Sequence, residues 1–123
     1  MNIKKCKKLL NLYTETIEYD LTYNIINEEE TGLRNRTTEN IKNYIKTIEI
    51  LINEKFKTNI DLNYYWKIQD ITDEKIKTIY ELQEEIYTDI TNHITQENKT
   101  RKEYKTKKTI DITKVNNYYW SII

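Results

Sequence analysis

The chain has 123 residues, 37% hydrophobic and 33% charged, and its 20 basic and 20 acidic side chains balance to zero. That length suits a single domain, residues 1–123, able to bury a core without help from a metal or disulfide. Cys6, His93, Gly32 and Ser121 are each the only residue of their kind, which leaves zinc clusters, internal disulfides and glycine-rich phosphate cradles without the residues they need.

Ala and Pro are absent, while Ile, Asn, Lys, Thr, Glu and Tyr supply most of the chain. Ile, Asn, Lys and Tyr have AT-rich codons and Ala, Gly and Pro GC-rich ones, so the skew reads as genome composition: an AT-rich bacterium or archaeon, or a phage, virus or mobile element of either. The lysines and leucines at the start resemble a signal peptide. Glu15, Glu18 and Asp20 follow before any apolar stretch of sufficient length. A membrane span of about 20 apolar residues is also absent. The expected location is cytoplasmic, in the host if the source is viral.

In chain order, the first predicted helix runs from about Asn2 to Glu29, with Ile3, Cys6, Leu10, Tyr13, Ile17 and Leu21 on one stripe. Glu28 and Glu29 oppose the dipole at its end, and Gly32 suits the position just beyond it. Gly32 to Thr38 is the expected loop, with Thr37 or Thr38 capping a second helix that ends near Lys57. Ile41, Tyr44, Ile45, Ile48, Leu51, Ile52 and Phe56 form its buried stripe. Tyr19, Tyr23 and Ile26 on the first helix, and Ile50 on the second, lie off these stripes and suit either a partner patch or a second layer of the fold.

Asn59 to Ile68 changes period. Ile60, Leu62, Tyr64, Trp66 and Ile68 alternate with Asn59, Asp61, Asn63, Tyr65 and Lys67, which predicts a strand. A third helix follows from a Thr72 cap to about Glu97, extending at most to Lys105. Its apolar arc is Ile76, Ile79, Tyr80, Ile86, Tyr87, Ile90 and Ile94. Asp73, Glu74, Glu81, Glu84, Glu85 and Asp89 lie across from it. Alternation returns in Ile110, Ile112, Tyr118, Trp120 and Ile122, although Lys114 and Asn116 interrupt it. The segments 56–68 and 104–122 echo one another: each leaves a helix, passes Ile-Asp and reaches Asn-Tyr-Tyr-Trp-x-Ile. Duplication of a helix–strand unit and coincidence in a chain of few residue types both account for this.

The expected fold class is therefore α+β: mainly α with a small β element, three amphipathic helices and a two-stranded sheet in the order α-α-β-α-β. An all-α bundle, with the Asn-Tyr-Tyr-Trp segments helical or looped, is the alternative.

No arrangement of side chains points to an enzyme, and no cofactor or metal is expected. Cys6 falls in an apolar stripe, His93 at the edge of one, and Ser121 near the end. The leading functional expectation is a non-enzymatic protein-binding module, a small regulator or inhibitor. It would present Asp73, Glu74, Glu81, Glu84, Glu85 and Asp89 to the basic, nucleic-acid-binding groove of a partner. The alternative is nucleic-acid binding through Arg101, Lys102, Lys105, Lys107, Lys108, Lys114 and Tyr119, lysine beside aromatics being the composition of single-strand grooves. A third is a structural subunit resting on the off-stripe apolar residues.

Overall fold

In a computed structural model that describes residues 2–23, 31–64, 68, 76, 78–105 and 108–123, the chain forms four helices among the described residues and no strand. These are α1 (Ile3–Tyr23), α2 (Thr31–Phe56), α3 (Ile79–Tyr104) and α4 (Ile112–Ile122). The fold is a helical bundle, and the expected α+β architecture with its two-stranded sheet is incorrect.

The helix stripes read from periodicity supply most of the core. Cys6, Leu10, Ile17 and Leu21 of α1 meet Ile41, Tyr44, Ile45, Ile48, Leu51 and Ile52 of α2, all buried. Ile3, at the head of the α1 stripe, is half exposed. The two helices run antiparallel and are pinned by the carboxylate of Asp20, which accepts from Arg36 Nη2 at 2.6 Å and Thr37 Oγ1 at 2.7 Å. This pin overturns the predicted loop. Residues 31–38 belong to α2, and Thr37 and Thr38 are buried inside it rather than capping it. A lone glycine costs a helix only about 1 kcal/mol, and the Thr37 hydroxyl finds its acceptor on the neighbouring helix. The predicted helix end at Glu28 and Glu29 lies outside the described residues, as does Ile26.

The second correction concerns the first strand. Ile60, Leu62, Tyr64 and Ile68 are all buried, while Asn59, Asp61 and Asn63 are exposed, so the alternation of burial is real. The backbone nevertheless bonds to side chains of α2 instead of a partner strand. Asn53 accepts from Ile60 N–H (2.8 Å) and donates to Ile60 C=O (2.9 Å), and Glu49 Oε2 accepts from Leu62 N–H (3.1 Å). At Tyr64 the chain turns helical, Ile68 N–H donating to Tyr64 C=O. Residues 65–67 lie outside the described set.

The second predicted strand is α4. Asp111 caps it by accepting from the N–H groups of Thr113 and Lys114, and Val115, Tyr119 and Ile122 form its buried face at helical spacing. Lys114 and Asn116 broke the alternation because they sit on other faces of a helix. Trp120, predicted to point inward with Tyr118, is 40% exposed.

α3 begins at Ile79, with Thr78 as its cap accepting from Glu81 N–H (3.1 Å). The proposed Thr72 cap lies outside the described residues. Leu82, Ile86, Ile90 and Ile94 form the buried line, whereas Tyr80, assigned to the apolar arc, is 65% exposed. Leu82 takes the place given to it.

Tyr44 and Tyr119 fill the centre. Gln83 Nε2 donates to Tyr44 Oη (3.0 Å), and Tyr119 Oη donates to Gln83 C=O (2.6 Å), joining α2, α3 and α4. Both phenols lie in one continuous hydrophobic cluster with the buried faces of every helix.

The internal echo has a structural counterpart. Asn98 on α3 grips Ile110 as Asn53 on α2 grips Ile60: its Oδ1 accepts from Ile110 N–H (2.6 Å) and its Nδ2 donates to Ile110 C=O (2.8 Å). Each helix exit also carries a lysine in the left-handed region, Lys57 at φ 55° and Lys105 at φ 53°.

Candidate functional site

Contacts between helix ends set the direction of each helix. The start of α1 meets the end of α2, Ile3 lying beside Leu51, Lys55 and Lys57. The end of α1 meets the start of α3, where Leu21 and Thr22 lie beside Ile79 and Tyr80. The later turns of α3, at His93 and Glu97, lie beside Asn59 and Ile60 just past the end of α2. So α2 and α3 run the same way and α1 runs opposite to both. The Asn98–Ile110 grip returns the chain so that α4 starts near the end of α3.

This topology gathers the lysines. Lys4, Lys5, Lys7 and Lys8 occupy the first two turns of α1, and Lys55 and Lys57 lie at the end of α2; all are exposed. Lys99, Lys102 and Lys105 at the end of α3, Lys108 in the following turn and Lys114 in the first turn of α4 are exposed as well. Every one lies toward the same end of the bundle. Among the described residues acids there are few: Glu54, Asp61 and Glu103 are exposed, Asp111 is used as a cap, and Glu97 is paired with Arg101 at 2.7 Å. Four stretches of chain thus contribute to one basic end, and only the last two, which lie between Lys99 and Lys114, were singled out from sequence as a binding segment. The missed signal was Lys4, Lys5, Lys7 and Lys8, a visible cluster whose spatial neighbours were not.

The predicted nucleic-acid residues divide accordingly. Lys102, Lys105, Lys108 and Lys114 are exposed. Arg101 has only 15% of its side chain exposed; its Nη1 donates to Lys108 C=O (2.8 Å) while its Nη2 pairs with Glu97, so it braces the turn. Tyr119 is fully buried and offers no face to a base. Burial pushes its hydroxyl far above the ordinary tyrosine range, with smaller contributions from Tyr44 and Glu84. Lys107 lies outside the described residues. Among the described residues, Tyr104 is an exposed aromatic at this end, 68% exposed in the last turn of α3.

The predicted acidic face is less unified than its sequence suggested. Asp73 and Glu74 lie outside the described residues. Glu81, Glu84, Glu85 and Asp89 are all half-buried, and the most exposed positions of that stretch are Thr88, Asn92 and Thr95. Glu84 sits on the flank facing α4, taking a hydrogen bond from Tyr80 that raises the tyrosine pKa. Nearby, Tyr87 and Trp120 pack at 5.4 Å between ring centroids. Asp89 turns to the other flank, its Oδ2 buried and without a hydrogen-bond partner among the described residues. Glu84, Glu85 and Asp89 enter no ion pair among the described residues.

Of the off-stripe apolar residues, Tyr19 is exposed and Ile50 half-buried, while Leu12 is exposed on α1 too. The side chain of Tyr23 lies outside the description. Among the described residues no three metal-ligating side chains converge, and no helix is long and apolar enough to cross a membrane. Cys6 is buried and packed in the core. Comparison with protein-family models, with curated proteins and with solved structures finds no match for this chain.

Proposed function

We propose that this chain is a non-enzymatic binding module that docks on nucleic acid through the basic end of the bundle. The observation that carries the reading is the convergence there of exposed lysines from α1, α2, α3 and α4, within a chain whose net charge is zero. Segregation of this kind produces a local positive field where the whole molecule has none. Phosphates are drawn to such a field with release of their counterions. Lysines are point charges on flexible stems, suited to phosphate oxygens without base discrimination.

The test is binding of a fluorescent oligonucleotide titrated against salt, with the fold monitored by circular dichroism. Affinity falls linearly on a log–log plot against salt, with a slope of about −0.7 to −0.9 per phosphate neutralised. The pair Lys4→Glu, Lys5→Glu and the pair Lys102→Glu, Lys105→Glu each weaken binding and flatten that slope. Unchanged binding in the α1 pair overturns the composite end, and absence of binding at low salt overturns the reading altogether.

A second reading is favoured by Glu84 and Glu85, carboxylates that enter no ion pair among the described residues. In it the start of α3 docks on a basic protein surface, as a small regulator or inhibitor of phage, viral or mobile-element origin would. Charge reversal at Glu81, Glu84 and Glu85 then abolishes partner capture while leaving oligonucleotide binding intact or tighter.

A further inference from the structure

We infer that the nucleic acid taken by the basic end is single-stranded and that Tyr104 is its stacking residue; this rests on the reading above and specifies its ligand. Three observations lead there. First, Tyr104 is exposed over two-thirds of its surface although it ends a long helix with a packed face, so the fold makes little use of its ring. Lys102 and Lys105 lie two positions before and one after it, both exposed. A ring among lysines offers a π-face to an unstacked base and charges to the flanking phosphates, which is how sequence-tolerant single-strand sites work.

Second, the ring sits on a braced turn. Lys105 leaves the helix in the left-handed conformation. Farther on, Lys108 C=O accepts from Arg101 Nη1 at 2.8 Å and the Asn98 side chain grips Ile110, tying both positions back to α3. A stacking platform held this way loses little freedom when a base arrives.

Third, the lysines disfavour a duplex. On α1, α3 and α4 they are confined to the end turns, and on α2 the mid-helix Lys42 and Lys46 are followed by Glu49, which pairs with Lys46 at 3.0 Å, so no helix carries a continuous basic face to lie along a major groove. The charges instead come from four separate segments, a discontinuous set that a flexible strand can follow and a stiff duplex cannot.

The experiment compares oligothymidylate of about 16 nucleotides with a hairpin duplex of similar charge, by fluorescence anisotropy at fixed salt. The full-length chain and its Tyr104→Ala, Tyr104→Trp and Lys102→Glu variants are each measured. The expected result is tighter binding of the single strand and a loss of about tenfold in Tyr104→Ala on that strand. Binding is retained in Tyr104→Trp, and Tyr104→Ala leaves duplex binding unchanged. Exposure of the ring and the helix propensity of alanine keep the variant folded. Equal binding of both ligands with a silent Tyr104→Ala overturns the stacking inference but leaves nucleic-acid binding standing, because Lys102→Glu still weakens it. If neither oligonucleotide binds, both fall.

Discussion

The paired asparagine grips offer the sharpest test of how the bundle is held. Asn53→Ala removes three hydrogen bonds: the two to the backbone of Ile60 and one from Thr58 Oγ1 at 2.8 Å. Asn98→Ala removes the two to Ile110. With a net worth of about 1 kcal/mol per bond, the expected losses are about 3 kcal/mol for Asn53→Ala and about 2 kcal/mol for Asn98→Ala. Thr58 is itself buried, and stranding its hydroxyl keeps the first value at the upper end. Urea unfolding measures this directly. With a slope of about 1–3 kcal/mol per molar urea, each midpoint falls by roughly 1 M or more. The double variant is additive within about 0.5 kcal/mol, since the two grips share no partner. Amide exchange supplies a second readout, because Ile60 and Ile110 N–H lose protection only in the matching variant. Midpoints unchanged in both single variants would refute the claim that side chains of α2 and α3 stand in for a partner strand.

Three further outcomes follow from the packing. Burial raises the pKa of Tyr44 and of Tyr119 above the ordinary 10.0, so the unfolded chain loses these protons first. Their stabilisation is complete below pH 10 and declines as pH rises beyond it, by about 1.4 kcal/mol per pH unit for each group. In Tyr119→Phe the alkaline decline of the urea midpoint is shallower; an identical decline refutes the assignment. Arg36→Ala leaves the fully buried Asp20 carboxylate without its guanidinium and destabilises by about 1–3 kcal/mol in thermal unfolding, at the low end because more than half of the Arg36 side chain is exposed and screened. Lys57→Gly relieves the left-handed strain at the exit of α2 and raises the unfolding free energy read by urea titration by about 0.5–1 kcal/mol, whereas Lys55→Gly, inside the helix, lowers it.

The buried stripes of α1, α2 and α3 were legible in the sequence because each carries its own evidence. A stripe such as Ile41, Ile45, Ile48 and Ile52 fixes a helix and its buried face whatever it packs against. Acidic and basic segments were legible as well, and so was the burial of Ile60, Leu62 and Tyr64. The partners were not. Alternation states which side chains leave water, but a strand is defined by where its backbone bonds go, and Asn53 and Glu49 supplied those partners from a neighbouring helix. Thr37 gave the same lesson in reverse: a residue typical of caps lies buried in α2 because Asp20 approaches from α1. α4 was misread for want of one local signal, Asp111 three residues before Lys114, whose carboxylate starts a helix that Val115, Tyr119 and Ile122 continue.

The basic end was settled by tertiary structure alone. Sequence placed lysines near both ends of the chain and could not say that they meet, because that depends on α1 running against α2 and α3 while α4 turns back. Those directions are set by contacts between residues far apart in sequence, Asp20 with Arg36 and Tyr44 with Gln83. Composition and periodicity are local quantities; the field of a protein is a sum over positions in space. The chain's own order therefore determined which segments coil and which faces they hide, and packing decided which charges stand together.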